Sequence, residues 1–214
     1  MISRFVIFSF AIFFFACNKQ AEENVSLESL PIEKLEKIKF SEPQKLISYI
    51  DNNESGYIKS KKFGEITYSS ILKPTDYLLA KKKLSDNNST YKKTDFEDLQ
   101  YFDLRIKIDD FKMEFIKYNL GSVEEYQERI NYCAFTMQND IKLIDGNDTL
   151  NCVLFHFERA FDVTPYGHFM LGFENKNKKS IEAKTLCFDD KLFNNGIIKF
   201  TYTPSFLAKE PILL

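Results

Sequence analysis

The segment that decides the fold is FDLRIKID at residues 102–109, in which apolar and charged side chains alternate without interruption. Successive side chains of a β-strand point to opposite faces of a sheet, so this period of two predicts a strand with one buried face and one solvated face. The predicted buried face carries Phe102, Leu104, Ile106 and Ile108. A strand of this kind must pair with other strands in a sheet, and the rest of the chain contains further segments with strand-like patterns.

The C-terminal half of the chain contains further strands and the turns that join them. Asp145-Gly146-Asn147-Asp148 lies between two apolar runs and is typical of a β-hairpin turn. Val153-Leu154-Phe155 is apolar on both faces, as in a central strand. The other expected strands and turns are 141–144, 169–173, 194–196 and 198–202. Because strands joined by hairpins form antiparallel sheets, we predict an α+β fold: an antiparallel β-sheet or sandwich with a few helices packed on one side.

Three segments predict helices. Ser41-Glu42-Pro43-Gln44 has the form of a capping box and precedes apolar residues at helical spacing, so a helix is predicted over 42–51. Pro74-Thr75-Asp76 predicts the start of a second helix. Ser122-Val123-Glu124-Glu125 is another capping box and predicts a third helix that ends near Asn139.

The composition suits one globular domain and argues against nucleic acid as a partner. The chain has 214 residues and a formal net charge of −2, so no basic excess is present to neutralise phosphates. Its 22 Phe and 11 Tyr residues supply abundant apolar surface for a core. We therefore predict a single β-rich domain over residues 41–214.

The N-terminal segment has the three parts of a secretory signal peptide. One positive charge at Arg4 precedes an apolar run at residues 5–15, which is too short to span a bilayer comfortably. Residues 1–16 are therefore predicted to be removed. Phe14-Phe15-Ala16-Cys17 resembles the lipobox of signal peptidase II substrates, although Leu is usual at position 14 and a smaller residue at position 15. The resemblance implies acyl chains on Cys17; the alternative is an ordinary signal peptide followed by an unmodified cysteine.

The residues after Cys17 point to a surface location. Gln20-Ala21-Glu22-Glu23 resembles the export tag of surface lipoproteins in Bacteroidota, and the alternative is a solvated acidic tether. Residues 17–40 are acidic and polar, so we predict a lipidated tether that holds the domain clear of the membrane. The resemblance implies the outer membrane, with the domain facing the cell exterior.

Two further modifications are predicted from short patterns. Of Cys133, Cys152 and Cys187, the last two lie in strand-like segments and are the best candidates for a disulfide, whereas buried thiols are the alternative. Asp148-Thr149-Leu150 resembles the O-glycosylation acceptor of Bacteroidota, which implies a glycan on Thr149; the alternative is that Thr149 simply begins a strand.

The chain lacks the sequence motifs of familiar catalytic sites. It contains no G-x-S-x-G, P-loop, G-x-G-x-x-G or H-E-x-x-H pattern. His156 and Glu158 would share one face of a strand, and His168 and Asp162 could approach them across a hairpin. Such a group could bind zinc or support hydrolysis, but we favour the alternative of a half-buried histidine beside a surface Glu–Arg pair and predict no metal site. A tyrosine platform for glycans is a further hypothesis, with the candidates Tyr101, Tyr118, Tyr126, Tyr132 and Tyr166.

These observations predict a non-catalytic accessory subunit anchored to the outer membrane, beside a cell-surface barrel complex. The anchor, the tether and the missing catalytic motifs motivate this hypothesis. A ligand- or glycan-binding surface lipoprotein is the alternative, and a hydrolase that uses Glu158, Asp162 and a histidine is the third. No enzyme activity and no cofactor are expected.

Overall fold

The computed structural model describes residues 29–31, 34–86, 90–110, 112–164, 166–176 and 180–214. The predicted signal peptide, the lipidation site Cys17 and the export tag at Gln20, Ala21, Glu22 and Glu23 lie outside these residues. In the described part of the chain, no helix is long and apolar enough to cross a membrane.

The secondary structure confirms the predicted α+β class. The strands are β1 Leu30–Pro31, β2 Glu36–Phe40, β3 Ile58–Phe63, β4 Ile66–Lys73, β5 Leu99–Ile108, β6 Ile141–Asp145, β7 Asp148–Glu158, β8 Tyr166–Glu174, β9 Ser180–Ile181, β10 Lys184–Asp190, β11 Gly196–Tyr202 and β12 Lys209–Leu213. The α-helices are α1 Pro43–Ile50, α2 Thr75–Ser85, α3 Val123–Asn131 and α4 Pro204–Leu207. A π-helical turn, Tyr132–Thr136, and a 3-10 turn, Met137–Asp140, extend α3.

Eight strands form one antiparallel sheet in the order β11-β10-β6-β7-β8-β5-β4-β3. The predicted strand FDLRIKID is β5, and it lies between β4 and β8. The sheet curls into a nearly closed barrel, since side chains of β4 reach those of β10 and β11. Tyr68 donates a 2.6 Å hydrogen bond to Asp190, and the Ser70 and Tyr202 hydroxyls lie 3.1 Å apart.

Helices and loops close the two ends of the barrel. α1, α2 and α4 lie at the end where β3 and β5 begin, together with β2 and β12. α3 and its extension lie at the other end, where β5 stops. The predicted helix starts are confirmed to within one residue, but the capping box expected from Ser41 does not form, because Glu42 is the N-cap of α1 and no side chain caps it. Ser122 Oγ does cap α3, by accepting a 3.1 Å hydrogen bond from the Glu125 amide. The core between these ends is rich in aromatic residues and includes Phe102, Phe169 and Phe173.

The predicted boundary between tether and domain is wrong. Residues 36–40 form β2, which pairs in parallel with β12, and Leu30–Pro31 pairs with Ser180–Ile181. The domain therefore includes residues that were assigned to the tether over 17–40. The sequence Glu36-Lys37-Ile38-Lys39-Phe40 alternates in the manner of a strand, but its partner lies at the far end of the chain.

The predicted disulfide between Cys152 and Cys187 is also wrong. All three cysteines of the described chain are free thiols. β6 separates β7 from β10, and the Cys152 side chain is in the core whereas Cys187 lies on the other face of the sheet. Burial raises the pKa of Cys152 to about 11, so this thiol stays protonated at neutral pH.

Candidate functional site

The loop between β7 and β8 carries two exposed apolar side chains. Phe161 is 67% exposed and Val163 is 84% exposed. Met113, which is 49% exposed, precedes Glu114, whose amide donates a hydrogen bond to Asp162 in this loop. We call Phe161, Val163 and Met113 the apolar tip. Single apolar residues on a surface are normal, but a group of them marks a contact site.

The loop holds two consecutive residues in a strained backbone conformation. Phe161 has φ 45° and Asp162 has φ 65°, in the left-handed region that favours glycine. This conformation costs a residue with a side chain about 1–2 kcal/mol. Strain of this kind persists only where the surrounding structure fixes it, and it is concentrated at functional sites.

A buried network beneath the loop fixes this conformation. The Arg159 guanidinium donates two hydrogen bonds to the Glu114 carboxylate, from Nε at 2.6 Å and from Nη2 at 3.1 Å. Tyr126 donates to Glu114 at 3.2 Å and accepts from Arg159 at 2.6 Å. Glu114 is 6% exposed. The hydrogen bond that Arg159 donates to the Glu114 carboxylate raises the pKa of Arg159. Both oxygens of the buried Glu114 carboxylate are therefore paired, while the Arg159 side chain is 25% exposed.

The network extends directly to the strained residues. The Arg159 guanidinium lies 4.4 Å from the centre of the Phe161 ring, within the range of a cation–π interaction. Asp162 accepts a 2.7 Å hydrogen bond from Lys117, which lowers the pKa of the Asp162 carboxyl. Both strained residues are thus held by contacts to the domain, although the Phe161 side chain is 67% exposed.

The tip lies at the opposite end of the sheet from the described N-terminal strands. β8 runs from the tip to the end where β1 pairs with β9, and it has nine residues. At about 3.3 Å per residue, the two ends are about 30 Å apart. We call them the tip end and the cavity end, since a cavity opens at the second.

The histidine cluster predicted from the sequence is assembled only in part. His168 Nδ1 lies 2.7 Å from Glu158 Oε2, as expected from their neighbouring strands. Asp162 does not join them, because it contacts Lys117 and the Glu114 amide. His156 is exposed on the same face of β7 as Glu158. The described residues include no group of three His, Cys, Asp or Glu side chains that could hold a metal ion, so the zinc hypothesis is not supported.

The third member of the histidine cluster is Asp103, which the sequence placed on the solvated face of its strand. Its side chain is 1% exposed and is flanked by His168 Nε2 at 2.8 Å and Lys73 Nζ at 2.5 Å. Burial alone would lower the pKa of His168, but the carboxylates of Asp103 and Glu158 reverse this and raise it. Burial would raise the pKa of Asp103, but His168 and Lys73 lower it. The arrangement is an ion-pair chain across four strands, from Lys73 on β4 to Glu158 on β7.

The remaining predicted residues are dispersed. Thr149 is exposed near the start of β7, so its glycosylation stays a prediction. Four of the five candidate tyrosines use their side chains within the fold: Tyr118 donates to Glu65, Tyr126 to Glu114 and Tyr132 to Asp140, while Tyr166 packs on Arg105. Together with Tyr101 they lie on different elements and are half-buried, so they form no shared platform.

The sequence analysis missed the tip and the Glu114–Arg159 pair. The available signal was the loop sequence Phe161-Asp162-Val163, which places large apolar residues where a turn between strands favours glycine, proline or asparagine. Glu114 and Arg159 are far apart in sequence, so no local pattern joins them.

Comparisons with known proteins add little. The chain matches no protein-family model and no curated protein. One solved structure is similar, the crystal structure of a DUF4426 family protein from Pseudomonas aeruginosa PAO1. It is 6% identical, and the match covers 68% of this chain and 91% of that chain with a TM-score of 0.35. A similarity of this size carries no argument about fold or function.

Proposed function

We propose that the protein is a non-catalytic interaction subunit, anchored to the outer membrane through acyl chains on Cys17 and facing the cell exterior. Its partner would be an outer-membrane barrel complex. The lipobox at Phe14-Phe15-Ala16-Cys17 and the tag at Gln20-Ala21-Glu22-Glu23 support the anchor and the location.

The observation that carries the interaction role is the strained apolar tip. A loop selected only for stability would bury Phe161 and Val163 or replace them with polar residues, and it would use glycine where φ is positive. Here the strain is retained and a buried network offsets it. The simplest physical reason is that the exposed side chains are covered by another protein.

The position of the tip supports the same proposal. The N-terminal strands lie at the cavity end, so a tether from the membrane would enter the domain there. The tip would then point away from the anchor, towards the extracellular part of a neighbouring membrane protein. Three apolar side chains are a small contact, which suits an accessory subunit that is held near its partner by the membrane itself.

Site-specific cross-linking tests this proposal. A photo-reactive phenylalanine analogue replaces Phe161 in one variant and Tyr91 in another, and intact cells are irradiated. Tyr91 is the matched control because it is 49% exposed and lies just before β5 at the cavity end. We expect one stoichiometric cross-linked species from position 161, lost when Val163→Asp is added, and none from position 91. Equal cross-linking from both positions, or none from position 161, would contradict the proposal.

The anchor has its own test. Mass spectrometry of the protein extracted from membranes should show acylated Cys17 as the first residue, and Cys17→Ala should release the protein from the membrane fraction. An unmodified thiol at Cys17 would remove the anchor without affecting the tip, so the two parts of the proposal can fail separately. The alternative role, ligand binding, draws its support from the cavity at the other end of the sheet.

A further inference from the structure

A groove of about 170 Å³ lies on the outer face of the sheet, where β3, β4, β5 and β8 run side by side. The strand register places its polar side chains in two adjacent rows of this face. The first row consists of Ser60, Ser69 and Arg105. The second row consists of Thr67, Lys107 and Tyr166. Rows two residues apart along a strand are separated by about 7 Å, so one small ligand can contact both.

The groove offers positive charge and hydrogen-bond donors. Its lining among the described residues includes two cations, Arg105 and Lys107, and no carboxylate. The Ser60 and Ser69 hydroxyl oxygens lie 2.8 Å apart, so one hydroxyl donates to the other and the second keeps its hydrogen free. The Thr67 hydroxyl, on the residue that pairs with Lys107, adds a further donor. This composition favours a ligand that is negatively charged and rich in acceptor oxygens.

Arg105 is held in place but lacks an acidic partner among the described residues. Its guanidinium lies 4.9 Å from the centre of the Tyr166 ring, within the range of a cation–π interaction, and this contact restrains it. Its Nε is buried and has no acceptor in the described part of the chain. A ligand cannot reach this buried atom, but Nη1 and Nη2 remain accessible from the groove. An anion bound to these two nitrogens would compensate the charge that the protein leaves unpaired.

Three cations beside the groove are paired, in contrast to the two within it. Each of these neighbours on the same face contacts a carboxylate: Lys62 with Asp109, Lys73 with Asp103, and His168 with Glu158. Lys107 is exposed, and neither it nor Arg105 has an ion-pair partner among residues 29–31, 34–86, 90–110, 112–164, 166–176 and 180–214. The uncompensated positive charge of this region is therefore concentrated at the groove, where it can attract an anion.

We propose that the groove binds a phosphate group through the Nη atoms of Arg105, the ammonium of Lys107 and the free serine hydroxyl. A phosphate monoester carries about −1.5 to −2 charges at pH 7 and three acceptor oxygens, which matches two cations and a neighbouring donor. The volume of about 170 Å³ is below the range of about 300–1,000 Å³ that drug-sized ligands occupy, so the groove suits a phosphate whose carrier extends outside it. This role is independent of the apolar tip, because the two sites share no residue.

Phosphate probes test the site. The full-length protein in mild detergent is titrated by thermal shift, at constant ionic strength, with inorganic phosphate, glucose 1-phosphate and a short-chain phosphatidic acid. Acetate is the comparison, since it has one charge and two oxygens. We expect a saturable rise in Tm with the phosphate probes and at least tenfold weaker binding of acetate. No shift with any phosphate probe, or equal binding of acetate, would overturn the proposal.

The same titrations distinguish the sources of the phosphate group. Tighter binding of glucose 1-phosphate than of inorganic phosphate would assign the group to a sugar, and tighter binding of the phosphatidic acid would assign it to a lipid headgroup. Equal binding of all three would assign the site to free phosphate. Each of these results supports a phosphate site, and they differ only in the carrier.

Matched variants locate the binding. Arg105→Gln removes the guanidinium, and Lys107→Gln removes the second cation from an exposed position where folding should be unaffected. Each should weaken phosphate binding at least tenfold. Lys199→Gln is the control, since it removes the same charge from the same face of the sheet but on β11, and it should change the affinity less than twofold. An unchanged affinity in both groove variants, or an equal loss in the control, would show that the phosphate does not bind in the groove.

Discussion

The two ends of the sheet each contain a buried carboxylate, and the two carboxylates are used differently. At the tip end, Glu114 binds Arg159 and Tyr126 through both of its carboxylate oxygens. At the cavity end, Asp145 binds Lys184 and Gln100, but Gln100 Oε1 stays without a donor. The buried carboxylate beneath the tip thus has both oxygens paired, whereas the polar group at the cavity end keeps one buried acceptor unpaired among the described residues.

The largest expected effect comes from breaking the network beneath the tip. Glu114→Ala leaves the Arg159 guanidinium partly buried without its carboxylate, so the free energy of unfolding should fall by about 3 kcal/mol. Denaturant unfolding measures this change. The control is Glu42→Ala, which removes an exposed ion pair with Lys45 and should cost less than about 1 kcal/mol. Equal losses in the two variants would mean that the tip network is not structurally important.

Alanine substitutions at two glycines of β8 allow the packing at the two ends of the sheet to be compared. A Cβ on Gly167, near the tip, would lie 2.1 Å from a ring carbon of Phe115. A Cβ on Gly172, near the cavity, would lie 2.9 Å from the Leu154 Cβ. Overpacking costs about 1–3 kcal/mol, so Gly167→Ala should fall at the top of this range and Gly172→Ala at the bottom. Unfolding in urea distinguishes them, and the reverse order would contradict tight packing beneath the tip.

The fold class was predictable because its strands and hairpin turns are specified by residues that are close together in the sequence. The alternation at 102–109 gave β5, and the turn at 145–148 gave the hairpin of β6 and β7. β2 was missed because its partner β12 pairs in parallel from the far end of the chain, without a hairpin turn to reveal it. The disulfide prediction failed for a related reason, since the sequence does not show that β6 lies between the two cysteines.

The site residues were harder to predict because their partners are distant in sequence. Asp103 follows the polar alternation of β5, yet it is buried because Lys73 and His168 from the two neighbouring strands cover and neutralise it. The sequence paired Glu158 with His168 correctly, since a hairpin brings them together. Which carboxylate completes the cluster depends on strand order, and that order is a property of the whole sheet.

The ion-pair chain between the two ends gives a smaller, pH-dependent effect. The pKa of His168 is raised in the folded protein above the value of about 6.5 expected when unfolded. Its contribution to stability is therefore fully present below about pH 6.5 and is lost as the pH rises through the folded pKa. His168→Gln should lower Tm by about 2–4 °C at pH 5.5, which corresponds to about 1 kcal/mol in a domain of this size, and by less at pH 9.

The exposed His156 provides a matched substitution. It lies on the same outer face of the sheet, and no ion pair to it is present in the described residues. The difference in Tm change between the two pH values should be larger for His168→Gln than for His156→Gln, because His168 contacts two carboxylates. If His168→Gln instead destabilised the protein more at pH 9 than at pH 5.5, the imidazole would be held neutral and the two-carboxylate arrangement would be wrong.

The smallest expected effect is the most informative about the tip. Phe161→Gly relieves a left-handed conformation worth about 1–2 kcal/mol, but glycine adds about 0.5–1 kcal/mol of chain entropy to the unfolded state. It also removes the cation–π contact with Arg159, which is worth about 0.5–1 kcal/mol. These terms nearly cancel, so the free energy of unfolding in urea should change by less than about 0.5 kcal/mol. Stability then gives no reason for a phenylalanine at this position, which is the result expected if Phe161 serves the proposed contact with a partner. A loss of more than about 1.5 kcal/mol in the free energy of unfolding would instead make Phe161 a structural residue. The two ends of the sheet would then differ only in how tightly their side chains pack.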